Sequence, residues 1–188
     1  MALTRDDFLD DAEQLGCDVA AVMAVAAVES QGGGFNPDGT PKTLFEGHWF
    51  HRLTKGIYTA EYPTISYPKW TRQFYGKTWQ QEQDRLNLAR SLDDTAACQA
   101  ASWGMFQIMG LNHAVVGFPT VQEFVDAMCT DENSQLQAFT NYVIRNGLAD
   151  ELQRQDWDKF AYRYNGPEYQ KNNYAQKLAA AYAKNAQG

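Results

Sequence analysis

The stretch Val19–Ser30 reads VAAVMAVAAVES, ten apolar residues followed by Glu29 and a serine. Asp18 can cap a helix at its start, and the glycines at 32–34 can end it. A helix without a polar face belongs in a protein interior. We therefore predict a buried helix over residues 19–30, with an acidic side chain in its last turn.

Most of the remaining chain also predicts helix. Four prolines at 37, 41, 63 and 68 exclude a long helix in that region, where residues 43–53 predict a short strand followed by a helical turn. The expected fold is mainly α (α+β), a two-lobed helical domain with a small irregular or β-hairpin lobe over residues 35–75. Further helices are predicted at residues 78–91, 94–101, 120–128, 131–146 and 156–164, with Pro167 opening the last one.

Bulk properties exclude several classes of protein. The apolar fraction of 44% excludes a disordered chain, and the net charge of -7 argues against binding to nucleic-acid phosphates. Acidic residues follow the first methionine where a signal peptide needs an apolar core, and the apolar run at 19–28 is too short to span a bilayer. We expect synthesis in the cytoplasm without a signal peptide, and no stable membrane insertion.

The cysteines and histidines show no metal-ligand spacing. Cys17, Cys98 and Cys129 are expected to be free thiols, and the three histidines lack a further ligand at zinc-site spacing. The sequence contains neither a Gly-x-Gly-x-x-Gly motif nor a phosphate loop. We expect no metal and no cofactor.

Glu29 is the residue with the most informative surroundings. Burial and the negative end of a helix dipole both favour the protonated carboxyl, so we predict a raised pKa. An acid that is still protonated near neutral pH can donate a proton to the leaving oxygen of a glycosidic bond. The alternative is that Glu29 is the solvent-exposed last residue of its helix.

Glycoside hydrolysis also needs a second group, and two acids follow in the sequence. Asp38 lies in the segment FNPDGTP, where an aspartate commonly bonds its own backbone in a turn. Glu46 lies in LFEGH and could equally form an ion pair with Arg52.

Four segments carry a family resemblance: VAAVESQGGGF, LFEGHWFHRLT, ASWGMFQIMG and YNGPEY. In this order, and over nearly the whole chain, they resemble the phage endolysins of the N-acetylmuramidase type. Glu29-Ser30, GMFQIM at 104–109 and Tyr164-Asn165 also resemble the pattern of lytic transglycosylases and goose-type lysozyme.

The resemblance implies a lysozyme-like fold with Glu29 as the catalytic acid. It implies that Tyr164 hydrogen-bonds Glu29 or the substrate. The other residues expected to bind substrate are Ser102, Phe106, Gln107, Met109 and Asn165.

The second catalytic group is expected to be Asp38, nine residues after Glu29. Phage lysozymes place an aspartate at the equivalent position, whereas many lytic transglycosylases place a serine. An aspartate can polarise a water molecule, so we favour hydrolysis over formation of a 1,6-anhydro product. Thr43 and Glu46 are the candidates for catalytic support, although neither Thr40 nor Thr43 falls on the threonine spacing of phage lysozymes.

The resemblance thus predicts one catalytic domain over residues 1–188, without a separate cell-wall-binding domain. We expect a monomer that cuts the β-1,4 bond between N-acetylmuramic acid and N-acetylglucosamine and so lyses the host. A membrane-permeabilising holin would give it access to the periplasmic peptidoglycan. Two alternatives stay open: a lytic transglycosylase, and a non-catalytic glycan-binding phage structural protein.

Overall fold

The computed structural model describes residues 3–30, 33–166, 170 and 172–187. Three short strands lie within these residues: β1 (Thr43–Phe45), β2 (Ala101–Trp103) and β3 (Ile108–Met109). The helices are α1 (Arg5–Leu15), α2 (Val19–Ser30), α3 (Gly47–Leu53), α4 (Trp79–Leu92), α5 (Asp94–Gln99), α6 (Val121–Thr130), α7 (Glu132–Arg145), α8 (Ala149–Gln153), α9 (Trp157–Asn165) and α10 (Tyr174–Asn185).

The predicted mainly helical fold with a small sheet is confirmed. α2 spans the predicted residues, and the bounds of α4, α6, α7 and α9 agree with the prediction within two residues. The sequence did not predict α8, and α5 ends at Gln99 because Ala101 belongs to a strand. Pro167 lies outside the described residues, and α10 begins at Tyr174. None of the described helices is long and apolar enough to cross a bilayer.

The chain divides into two compact units, and the first comprises Met1–Gly33 and Glu132–Gly188. Within it, α2 packs against α1 and α10. Ala20, Ala21 and Ala24 are fully buried there, and their small side chains let the neighbouring helices approach closely. The predicted buried helix is confirmed. The single catalytic domain over residues 1–188 stays a prediction.

The second unit, Gly34–Asp131, contains the antiparallel sheet in the order β1-β2-β3. Thr43 pairs with Trp103, and Ser102 pairs with Met109. The strand at 43–45 followed by a helical turn is confirmed. Of the two alternatives given for residues 35–75, the described residues form the irregular lobe and not the β-hairpin. Apart from a bridge between Phe35 and Pro41, the region supplies only β1 to the described sheet, and the hairpin is β2–β3. The reason is that β1 pairs with residues beyond position 100, which no local pattern reveals.

Candidate active site

Glu29 lies in the last turn of α2, where the buried apolar face of the helix ends. Val25 and Ala26, the residues one turn earlier, are almost completely buried. The Glu29 side chain is half-buried, and its Oε1 is shielded from solvent without a hydrogen-bond partner in the described part of the chain. The alternative of a solvent-exposed helix end is therefore wrong.

Burial raises the pKa of Glu29 to about 7, and a hydrogen bond from the Asn165 side chain offsets only part of that effect. The direction agrees with the prediction from the sequence. Removing a carboxylate from water disfavours its charged form, and the negative end of the α2 dipole acts in the same direction. Near neutral pH a large fraction of the molecules therefore carries a proton on this carboxyl.

Tyr164 and Asn165 reach Glu29 from the last turn of α9. Gly166 follows with φ of 78° and ψ of -175°, a backbone conformation that favours glycine, and it ends the helix directly after these two residues. Burial and the nearby charge of Glu29 raise the pKa of the Tyr164 hydroxyl well above its usual value, so it stays protonated. The structure thus brings together three of the predicted residues: an acid, a phenol and an amide.

An aromatic cluster holds the ring of Tyr164. The ring stacks on Phe160 with 5.4 Å between centroids, and the edges of Phe139 and Tyr142 meet it at 5.8 and 5.7 Å. Aromatic pairs at such separations contribute about 0.5–1.5 kcal/mol each beyond their buried area. Aromatic residues of α7 and α9 therefore fix the position of the Tyr164 phenol near Glu29.

Ion pairs to a buried carboxylate connect α9 to the preceding helices. Glu151 on α8 is 1% exposed and lies 2.9 Å from Arg163 and 3.1 Å from Lys159. Arg163 also donates to the carbonyls of Asn146 and Gly147, at 2.7 Å each, beyond the end of α7. Sequence reasoning missed this arrangement, which fixes the residue directly before Tyr164.

Asp38 lies in the second unit, in a turn between Phe35 and Pro41. Its Oδ1 accepts hydrogen bonds from the hydroxyl and the backbone N–H of Thr40, at 2.7 and 3.0 Å. These bonds lower the pKa of the exposed Asp38 carboxyl, the hydroxyl of Thr40 having the larger effect. Asp38 is therefore an ionised carboxylate held in one orientation. The same bonds close the turn, so Asp38 also has the turn-forming role noted from the sequence.

Thr43 and Glu46, the predicted supporting residues, are both held by neighbours within the second unit. The hydroxyl of Thr43 accepts a hydrogen bond from Gln83 at 3.2 Å. Glu46 accepts one from Tyr75 at 2.7 Å, and its Oε2 lies 3.2 Å from His48 Nδ1.

The suggested Glu46–Arg52 ion pair is not among the contacts of the described residues. The guanidinium of Arg52 instead lies 4.9 Å from the ring centroid of Trp49. Burial lowers the pKa of His48, so its contact with Glu46 is made mainly by a neutral imidazole at pH 7.

Ser102 and Gln107 brace the β2–β3 hairpin. Ser102 donates to Oε1 of Gln107 at 2.8 Å, and Nε2 of Gln107 donates to the carbonyl of Gly104 at 2.9 Å. Phe106 is only 3% exposed, whereas Met109 is half-buried. The amide of Gln107 is thus engaged inside the turn, and Phe106 belongs to the core of its unit.

Within the described ranges, no three His, Cys, Asp or Glu side chains are grouped closely enough to hold a metal ion.

The comparisons with known proteins agree with a glycosidase site. The family model for N-acetylmuramidase matches residues 18–186. The chain belongs to the N-acetylmuramidase family.

This N-acetylmuramidase is similar to a solved structure described as "Crystal structure of Burkholderia AP3 phage endolysin". The two sequences are 38% identical, and the TM-score is 0.92 over 99% of this chain and 72% of the endolysin chain. The predicted resemblance, the lysozyme-like fold and the assignment to the glycoside hydrolases are confirmed. A comparison with curated proteins found no match.

Proposed function

We propose that this N-acetylmuramidase hydrolyses the β-1,4 bond between N-acetylmuramic acid and N-acetylglucosamine in peptidoglycan, with Glu29 as the general acid. The observation that carries the proposal is the buried carboxyl at the end of α2, whose pKa is raised to about 7. Cleavage of a glycosidic bond leaves an oxygen that needs a proton, and an ordinary glutamate would already have lost it at neutral pH.

Asn165 and Tyr164 interact with Glu29 before and after it gives up its proton. Once the proton has moved to the leaving oxygen, the hydrogen bond from Asn165 stabilises the carboxylate that forms. Tyr164 keeps its proton because its pKa is raised, so its hydroxyl can donate a hydrogen bond to Glu29 or to a sugar oxygen.

Asp38 positions and activates the attacking water in this proposal. The two bonds from Thr40 keep its carboxylate ionised and fixed at Oδ1. A general base must be deprotonated to accept a proton from water, and Asp38 meets this requirement at any pH above its lowered pKa. This supports a hydrolytic reaction over the internal attack that gives 1,6-anhydro ends.

The remaining predicted residues, apart from Phe106 in the core of its unit, hold or line the substrate surface. We assign Ser102 and Gln107 to positioning the hairpin, and Met109 to contact with substrate, since its side chain is partly exposed. Thr43 and Glu46 are reserve supporting groups, each already bonded to a neighbour.

The likeness to a phage endolysin supports a role in lysis of the bacterial host. We propose that the chain acts as a monomer on glycan strands in the periplasm and reaches them with the help of a holin.

The test is lysis of chloroform-treated Gram-negative cells by the Glu29→Gln variant, with Glu13→Gln, an exposed glutamate of α1, as the matched control. We expect Glu29→Gln to lose at least about 100-fold in rate, the usual contribution of a general acid, and Glu13→Gln to match the unchanged protein. Mass spectrometry of the released muropeptides identifies the reaction. Reducing ends support hydrolysis, whereas anhydro ends, or full activity of Glu29→Gln, contradict the proposal.

A further inference from the structure

A groove of about 390 Å³ lies within the second unit, along one side of α4. Its volume is in the range of small-ligand pockets, about 300–1,000 Å³. α4 supplies Trp79 at its first turn and Arg90 near its end, and Asp38 and Pro41 contribute from the turn before β1. The residues that α4 presents here share one helix face, since they recur at three- and four-residue steps.

Trp79 is the tryptophan whose surroundings suggest a ligand. Among the five tryptophans, it is the one whose indole has no ring contact, cation contact or hydrogen bond in the described structure. Its side chain is half-buried in the wall of the groove, so one part packs on the protein and another part is accessible. An unpartnered aromatic face is a suitable platform for the apolar C–H face of a sugar ring.

The polar lining of the groove offers planar hydrogen-bonding groups. Gln80, Asp84 and Asn87 are exposed, and their side chains make no hydrogen bond within the described residues. Amide and carboxylate groups can each bond two neighbouring hydroxyls or an acetamido group. Gln83 is fixed in place because its Nε2 donates to the carbonyl of Pro41 and to the Thr43 hydroxyl.

The charge of the groove selects a neutral ligand. Asp38 and Asp84 both line it as carboxylates. Arg90, the cation among the lining residues, has its Nε 2.6 Å from Oδ1 of Asp94 and is already ion-paired. The lactyl carboxylate of muramic acid would meet repulsion here, whereas N-acetylglucosamine carries no charge.

We propose that the α4 groove is a saccharide subsite that binds a neutral N-acetylglucosamine unit of the glycan strand, with Trp79 as its stacking platform. The inference rests on the proposed function for the identity of the glycan. The groove shares Asp38 with the proposed hydrolytic site. A sugar bound along α4 would therefore add a contact with the glycan next to that carboxylate.

The test measures binding of tri-N-acetylchitotriose to the full chain carrying Glu29→Gln, by calorimetry and by NMR of the Trp79 indole N–H. Introducing Trp79→Ala should weaken binding about tenfold, near the upper range for one aromatic contact, while Trp79→Phe retains most of the affinity. Trp70→Ala is the matched control, because Trp70 is an exposed tryptophan of the same unit that does not line the groove. Free N-acetylmuramic acid should compete less well than N-acetylglucosamine.

Three outcomes overturn the subsite: no binding of the trisaccharide at millimolar concentration, an unperturbed Trp79 indole signal, or equal affinity of Trp79→Ala and the parent. Melting curves of both Trp79 variants separate lost binding from lost folding. Since binding is read without turnover, failure here leaves the catalytic proposal intact. Full lytic activity of Glu29→Gln would instead remove the proposed function and leave the binding result standing.

Discussion

Replacing Glu29 by glutamine tests the protonated acid through stability as well as through activity. Glutamine has nearly the shape of a protonated glutamic acid and carries no charge at any pH. Burial raises the pKa of Glu29 to about 7 in the folded protein, whereas an unfolded chain ionises near pH ~4.3. Between these values the folded protein holds a proton that the unfolded chain has already released.

The unchanged protein therefore loses stability as the pH rises from about 4.5 to 7, and the loss is complete above the folded pKa. At 1.36 kcal/mol per pKa unit, the shift corresponds to roughly 3–4 kcal/mol. Because the side chain is only half-buried, solvent screening reduces this to about 2 kcal/mol. Glu29→Gln avoids the penalty, so we expect its melting temperature at pH ~8.5 to exceed that of the unchanged protein by about 4–8 °C. At pH ~5, where only the first part of this loss has occurred, the difference should be about a quarter as large.

Thermal unfolding followed by circular dichroism from pH ~5 to pH ~8.5 measures this effect, with Glu13→Gln as the exposed control that should parallel the unchanged protein. Carbon-13 NMR of the Glu29 carboxyl gives its titration midpoint directly. A midpoint near 4.5, or unfolding curves of Glu29→Gln that parallel the unchanged protein at every pH, would refute the reasoning.

Three further predictions concern groups other than Glu29. Asp11 is 3% exposed, and burial raises its pKa although the nearby Thr140 side chain acts in the opposite direction. Asp11→Asn should therefore raise the melting temperature by about 2 °C or more at pH ~8 and not at pH ~4. Arg163→Leu leaves Glu151 paired with Lys159 alone, so we expect urea unfolding to show a loss of about 2 kcal/mol in the free energy of unfolding. Adding Glu151→Leu to the same chain should recover part of that loss. Asp38→Asn keeps a turn-forming side chain but removes the base. The rate of lysis should therefore fall by about 100-fold or more while the melting temperature stays unchanged. A normal rate of lysis would exclude Asp38 as the second catalytic group.

Local signals in the sequence predicted the helices well. Thr120 and Asp156, expected at helix starts, are the N-caps of α6 and α9 and accept hydrogen bonds from Glu123 and Lys159. The all-apolar run of α2 left a buried helix as its only reasonable interpretation. Each of these patterns involves residues at most a few positions apart, which is why one sequence sufficed.

The sheet could not be predicted in the same way. β2 and β3 have only three and two residues, too few for an alternating pattern, and the pairing of Thr43 with Trp103 joins distant parts of the chain. Ala101 was placed at a helix end by its local context, but pairing with Phe45 draws it into β2. Tertiary contacts override local propensity at such positions.

Long-range contacts around the candidate acid were also hidden from the sequence, although its pKa shift was not. The raised pKa of Glu29 followed from its neighbours in sequence, and the structure confirms it. The Glu151–Arg163 pair joins α8 and α9, and no local pattern had revealed α8 itself. The groove beside Trp79 needed the side chains of α4 and of the Asp38 turn in one place, an arrangement that only the fold creates.

The raised pKa of Glu29 has one dominant cause, burial, and no carboxylate in the described part of the chain is among its causes. This distinguishes the residue from acids that keep a proton because a like charge lies beside them. Repulsion between charges is screened by salt, whereas the loss of hydration at a buried carboxyl is largely unaffected by it. The proton therefore depends on the packing of α2 between α1 and α10, where small alanine side chains exclude water up to the last turn. In this protein, the residues that build the core of the first unit also set the chemistry of its acid.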